Sequence, residues 1–108
     1  MNPRRLIIDP KVVEDLLEIG AYIAQDNVDA AHRFLVQANN TFDQLSSHPG
    51  LGTKCYFRHN RAANLRVWPI RGFENYLIFY DARDDAVVIY RVLHGARDIK
   101  SILDAAES

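Results

Sequence analysis

At 108 residues, 48% hydrophobic and 25% charged, the chain has room for one globular domain and falls outside the disordered and low-complexity classes. A single cysteine, Cys55, excludes an internal disulfide or a multi-cysteine metal site, and wholly apolar runs no longer than Tyr76–Tyr80 or Ala86–Tyr90 exclude a membrane-spanning helix. The formal net charge of −1 argues against a protein built to coat nucleic acid.

Leu6–Ile8 reads as a short strand, and Asp9-Pro10 then opens a helix, with Asp as N-cap and Pro at the first helical position, where a missing N–H costs nothing. Val12, Leu16, Ile19 and Ile23 form its apolar stripe, and Glu14, Asp15 and Glu18 are expected on other faces. Asp26-Asn27 breaks this helix near Gln25. A second, capped by Asn27 or Asp29, carries Ala31, Phe34, Leu35, Ala38, Phe42 and Leu45 on one stripe until Ser46–Gly50 ends it. So short a break makes the two an antiparallel hairpin.

Residues 54–63 are polar and irregular, with a weak strand signal at 55–58. Asn64–Ile70 reads as a strand whose Pro69 end must lie at an edge or a bulge. Arg71–Glu74 turns the chain, Tyr76–Asp81 and Ala86–Leu93 are the clearest strands, and Ile99, Ile102 and Leu103 indicate a short last helix. The order β-α-α-β-β-β-α predicts a single α+β domain over residues 1–108. A helical hairpin would lie on one face of an antiparallel sheet, with a short C-terminal helix after it.

Such a sheet should alternate apolar and polar residues, yet the last two strands are apolar on both faces. Strict alternation sets Tyr76, Ile78 and Tyr80 against Leu77 and Phe79, and Val87, Ile89 and Leu93 against Val88, Tyr90 and Val92. One hairpin covers one face. Either the last helix or the 54–63 segment folds over the other, or another protein does. Charge is also unevenly spread: residues 1–53 carry a net −3 and residues 54–100 a net +4, so a charged partner is expected on the second half.

The segments LSSHPGLG, LRVWPI, NYLIFY and RVLHGARDI, in this order, resemble the ParE branch of the RelE/ParE superfamily of bacterial toxins, from Asp9 to Leu103. The resemblance implies that fold and a toxin of a type II toxin–antitoxin system of the plasmid-stabilisation kind. Such a toxin inhibits DNA gyrase and replication, and a ParD-like ribbon-helix-helix antitoxin neutralises it. DNA would be met only through the antitoxin. Arg91, His94, Arg97 and Lys100 are the expected toxin-activity and target contacts. Arg66, Tyr76, Ile78, Tyr80 and Val87 or Val88, according to the register of the 82–85 turn, are the expected antitoxin contacts.

The alternatives are a RelE-like ribosome-dependent mRNA endonuclease and a non-toxic co-repressor. Arg66, Arg91, His94 and Arg97 stand at places comparable to the nuclease's, but no tyrosine follows Tyr90 in the C-terminal segment, where several such nucleases carry one. No enzymatic activity, catalytic residue, cofactor or metal site is therefore expected: His32, His48 and His59 lack metal-ligand spacing, and Ser46-Ser47-His48 cannot form a triad alone. Arg91 in mid-strand could instead pair with a carboxylate or stack on a tyrosine, and His94 could serve as a capping histidine. With two arginines and only three apolar residues behind them, the start of the chain is no signal peptide, so the cytoplasm is the expected compartment.

Overall fold

A computed structural model describes residues 3–57 and 64–105. The chain runs β1 (Arg5–Ile8), α1 (Pro10–Ala24), α2 (Val28–Ser47), β2 (Thr53–Lys54), β3 (Arg66–Ile70), β4 (Phe73–Ala82), β5 (Ala86–His94) and α3 (Ile99–Ala105). The predicted order holds. The strands form one sheet in the order β1-β5-β4-β3-β2. It is mixed rather than wholly antiparallel, because β1 enters beside β5 in parallel, with Leu6 opposite Val87 and Ile8 opposite Ile89. The hairpin between β1 and the rest of the sheet supplies the crossover that a parallel neighbour requires. Arg58, His59 and Arg61, and the end of the weak strand signal, lie outside the described residues; the strand that forms in this region is the earlier pair Thr53–Lys54.

Local chemistry sets the boundaries. Asp9 accepts a hydrogen bond from the Lys11 N–H at 2.9 Å, and Asn27 caps α2 by accepting from Ala30 N–H at 3.0 Å, so Asn27 rather than Asp29 is the cap. Gly72 turns β3 into β4 at φ 83°, a left-handed conformation that suits glycine. The turn is tighter than the sequence suggests, and β4 starts at Phe73. The register shift between Pro69 and Ile70 is the bulge that Pro69 foreshadowed. Asp98 holds the start of α3, accepting from Ser101 N–H at 3.3 Å and from Ser101 Oγ at 2.7 Å, and these bonds keep its carboxyl below the ordinary range.

Each sheet face has its own core. Beneath the hairpin, Val12, Phe34, Phe42 and Leu45 pack on Ile70, Ile78, Tyr80, Val87, Ile89 and Val92. On the other face Leu65, Phe79, Tyr90 and Leu93 are buried with Leu103 of α3, while Phe57, Ile99 and Ile102 close over them. The chain thus covers its own second face, which accounts for strands apolar on both sides.

A polar lock joins the α2–β2 connection to the sheet. Tyr80 Oη donates to Pro49 O at 2.8 Å and accepts from Gly52 N–H at 2.8 Å, while Arg66 Nη1 donates to Gly52 O at 2.7 Å. Glycine is needed here for close approach: a Cβ at position 52 would lie 2.6 Å from Tyr80 Oη and 2.9 Å from Val67 O. Gly52→Ala should therefore cost about 1–3 kcal/mol of stability, measured as a lower urea midpoint. Burial raises the Tyr80 phenol pKa, opposed by the Gly52 hydrogen bond and by Arg66. A folded pKa above the unfolded value stabilises fully below about pH 10 and fades as pH rises towards the folded value. Tyr80→Phe should flatten the alkaline fall in the urea midpoint relative to wild type. Cys55 and Tyr76, raised by burial in both proteins, cancel in that comparison.

Candidate functional site

The site is built on an irregularity between β4 and β5. Phe79 pairs with Arg91 but Tyr80 pairs with Ile89, so Tyr90 is the extra residue of a β-bulge. The bulge reverses the parity of β5 part-way along. Val87 and Ile89 point to the hairpin, Tyr90 to the opposite core, Val92 to the hairpin and Leu93 to the opposite core, while the Arg91 guanidinium reaches Asp15 of α1. Strict alternation, which grouped Leu93 with Val87 and Ile89 and Val92 with Tyr90, is corrected here.

The two residues after the bulge meet Asp15. Arg91 Nε and Nη2 donate to Asp15 Oδ2 and Oδ1 at 2.8 and 2.9 Å, and the Val92 N–H donates to Oδ2 at 3.0 Å. Asp15 is buried, not on an outer face, and the Arg91 side chain is 10% exposed. The hydrogen bond to Asp15 raises the Arg91 pKa against the opposing effect of burial. Arg91 thus takes the carboxylate-pairing role.

Above this pair lies an open cleft of about 410 Å³ between α1 and the ends of β4 and β5. Asp15, Glu18, Ile19 and Tyr22 line it from the helix, and Tyr76, Val92, Leu93, His94 and Arg97 from the sheet side. His94 Nδ1 accepts the Ala96 N–H at 2.9 Å, so the neutral ring carries its proton on Nε2. The ring meets Tyr76 edge-on, with centroids 4.9 Å apart at 90°. Burial, then proximity to Tyr22, raises the Tyr76 phenol pKa and holds it neutral. Arg97 and Glu18 are exposed and have no ion-pair partner among the described residues.

The expected residues divide accordingly. His94, Arg97 and Tyr76 share the cleft, with Arg91 beneath it. Lys100 lies apart on α3, paired with Asp104 at 2.8 Å. Ile78, Tyr80 and Val87 are fully buried under the hairpin, so the surface expected from them does not exist in this fold. The hairpin packs on the face of β4 that carries Phe73, Tyr76, Ile78 and Tyr80. Val88 is half-buried beside β1, opposite Ile7. Arg66 lines a separate recess of about 370 Å³ with Lys54, Cys55, Tyr56 and Asp81. Asp15, Glu18 and Tyr22 were missed, although Val12, Asp15, Ile19 and Tyr22 fall at offsets 0, 3, 7 and 10 of one helical arc.

Residues 6–99 match the family described as "ParE toxin of type II toxin-antitoxin system, parDE". The chain belongs to the ParE toxin family. No curated protein matches it. As a ParE-family toxin it is the toxin member of a type II toxin–antitoxin pair, and an antitoxin is its implied partner. Among the described residues no helix is long and apolar enough to cross a membrane, and no group of three or more His, Cys, Asp or Glu could hold a metal ion.

The clamp beneath the cleft yields a test. Asp15→Ala leaves the Arg91 charge and the Val92 N–H buried without their acceptor. It should cost about 3–5 kcal/mol, read from urea unfolding, and Asp15→Asn should lose much of the same stability. Replacing both partners, as in Asp15→Leu with Arg91→Met, should be milder than Asp15→Ala, because no buried charge remains unpaired.

Proposed function

We propose that this ParE-family toxin acts by binding DNA gyrase and blocking replication, that it is not an enzyme, and that a ParD-like ribbon-helix-helix antitoxin neutralises it in the cytoplasm. The family match over residues 6–99 carries this reading. The state of the basic side chains supports the non-enzymatic part. Cleavage of RNA through its 2′-hydroxyl needs a base, an acid and cations free to surround the phosphate. Of the four basic residues at nuclease-like places, Arg66 is engaged with the Gly52 carbonyl and Arg91 with Asp15. His94 has one ring nitrogen occupied by Ala96 N–H, and no tyrosine follows Tyr90 to complete a proton-transfer set.

Induction in a host lacking the antitoxin should arrest growth and raise the SOS response, and co-expression of the cognate antitoxin should relieve both. Purified protein should inhibit supercoiling by gyrase and leave mRNA on translating ribosomes intact. Site-specific cleavage in the ribosomal A site with gyrase unaffected would replace this reading with the nuclease one. Induction without growth arrest would favour the co-repressor.

A further inference from the structure

The geometry points to the cleft between α1 and β5 as the socket for an acidic segment of the protein partner, one that seats a carboxylate against Arg97 and His94 and an apolar side chain between Tyr22 and Tyr76. This inference rests on the reading of the chain as an antitoxin-neutralised toxin. The Asp15 carboxylate already accepts three hydrogen bonds, so it offers an incoming group little. What remains is donor-rich: His94 Nε2–H, the Arg97 guanidinium and two phenols that have no hydrogen-bond partner among the described residues. Glu18 is the one free carboxylate on the cleft wall. A ligand must therefore bring acceptors to the sheet side and can bring a donor to the helix side, which a peptide does with its carboxylates and backbone N–H groups.

The walls narrow the class further. Ile19, Val92 and Leu93 form an apolar floor that a bare inorganic anion would not use. A nucleic-acid strand needs a track of cations along its phosphates. Here one guanidinium stands opposite Glu18, with Glu14 further along the same exposed helix surface. About 410 Å³ is near the lower end of the ~300–1,000 Å³ typical of ligand sites, which suits one or two side chains of a crossing segment. Tyrosine and arginine are also the side chains that most often anchor protein interfaces.

The test uses the full chain and its cognate antitoxin, with affinities from titration calorimetry and folding checked by thermal melts. Arg97 and Tyr22 are both exposed, so Arg97→Glu and Tyr22→Ala should fold normally. Each should weaken antitoxin binding by about tenfold or more. Changing an antitoxin Asp or Glu to Lys should restore affinity for Arg97→Glu. Leu17→Glu is the control: Leu17 is exposed on α1 and does not line the cleft, and the variant should bind as wild type does. The cleft assignment is overturned if both cleft variants bind normally, or if Leu17→Glu alone abolishes binding. It is also overturned if Arg97→Glu instead removes binding of a single-stranded oligonucleotide probe. Failure of the wild-type chain itself to bind the antitoxin would overturn the toxin–antitoxin reading, and the cleft assignment with it.

Discussion

A buried carboxylate at a strand irregularity organises this molecule. Beside the β5 bulge at Tyr90, a backbone N–H at Val92 and a guanidinium at Arg91 are both left in the interior. Neither is tolerable in a sealed core unless an acceptor arrives from outside the sheet. Asp15 provides one, taking two bonds from the guanidinium and one from the backbone. A bidentate Arg–carboxylate pair has a narrow geometry, so it fixes the rotation of α1 about its axis as well as its distance from β5. Net stability is a poor measure of such a pair, since an apolar replacement can do as well. Its value here is in specifying the arrangement: with α1 held in this rotation, Glu18, Ile19 and Tyr22 follow one and two turns later along the cleft wall.

The bulge also reconciles the two cores. Without it, a strand carrying Val87, Ile89, Arg91 and Leu93 in phase would put Leu93 with the hairpin and Val92 with the opposite face. The parity switch delivers Val92 to the hairpin core and Leu93 to the smaller core under α3. Strand β4 keeps a single phase, with Ile78 and Tyr80 on one side and Leu77 and Phe79 on the other. A bulged strand beside a regular one twists locally, and the cleft opens at the end of β5 beyond that point. The Tyr80–Gly52–Arg66 lock secures the far end of the hairpin, so both ends of the helical layer are tied to the sheet by polar contacts within apolar surroundings.

Most of the fold was legible in the sequence because its signals are local. The Asp9-Pro10 start, the Asn27 cap and the stripe from Ala31 to Leu45 each depend on residues within a turn or two. Non-local facts were less legible. Parallel pairing of β1 with β5 depends on where a four-residue strand docks after the sheet exists, and no spacing within Arg5–Ile8 encodes it. The bulge was hidden because an alternating apolar run reads the same in either phase. Ile78, Tyr80 and Val87 were assigned to a surface because alternation does not say which face of the sheet the hairpin covers, and they lie under it. For the site, the C-terminal run carried His94 and Arg97, while its helical half was overlooked because an acid in an amphipathic helix is ordinarily solvent-facing. Asp15 broke that expectation with a buried arginine 76 positions away.

The basic second half takes a different meaning in three dimensions. Its +4 excess suggested a broad electropositive docking face, yet much of that charge is spent within the fold. Arg91 neutralises Asp15 of the acidic half and Lys100 pairs with Asp104 beyond the segment, which offsets two of the four excess charges. A charge committed to an internal partner contributes little field at a distance greater than a Debye length, about 8 Å at physiological ionic strength. Recognition by bulk charge is thereby replaced by recognition at a place. Arg97 stands at the mouth of an aromatic-walled cleft, beside a histidine whose tautomer is set by the chain itself. Such a surface discriminates by shape and by donor placement, which suits a toxin that must be held by one partner among many acidic proteins.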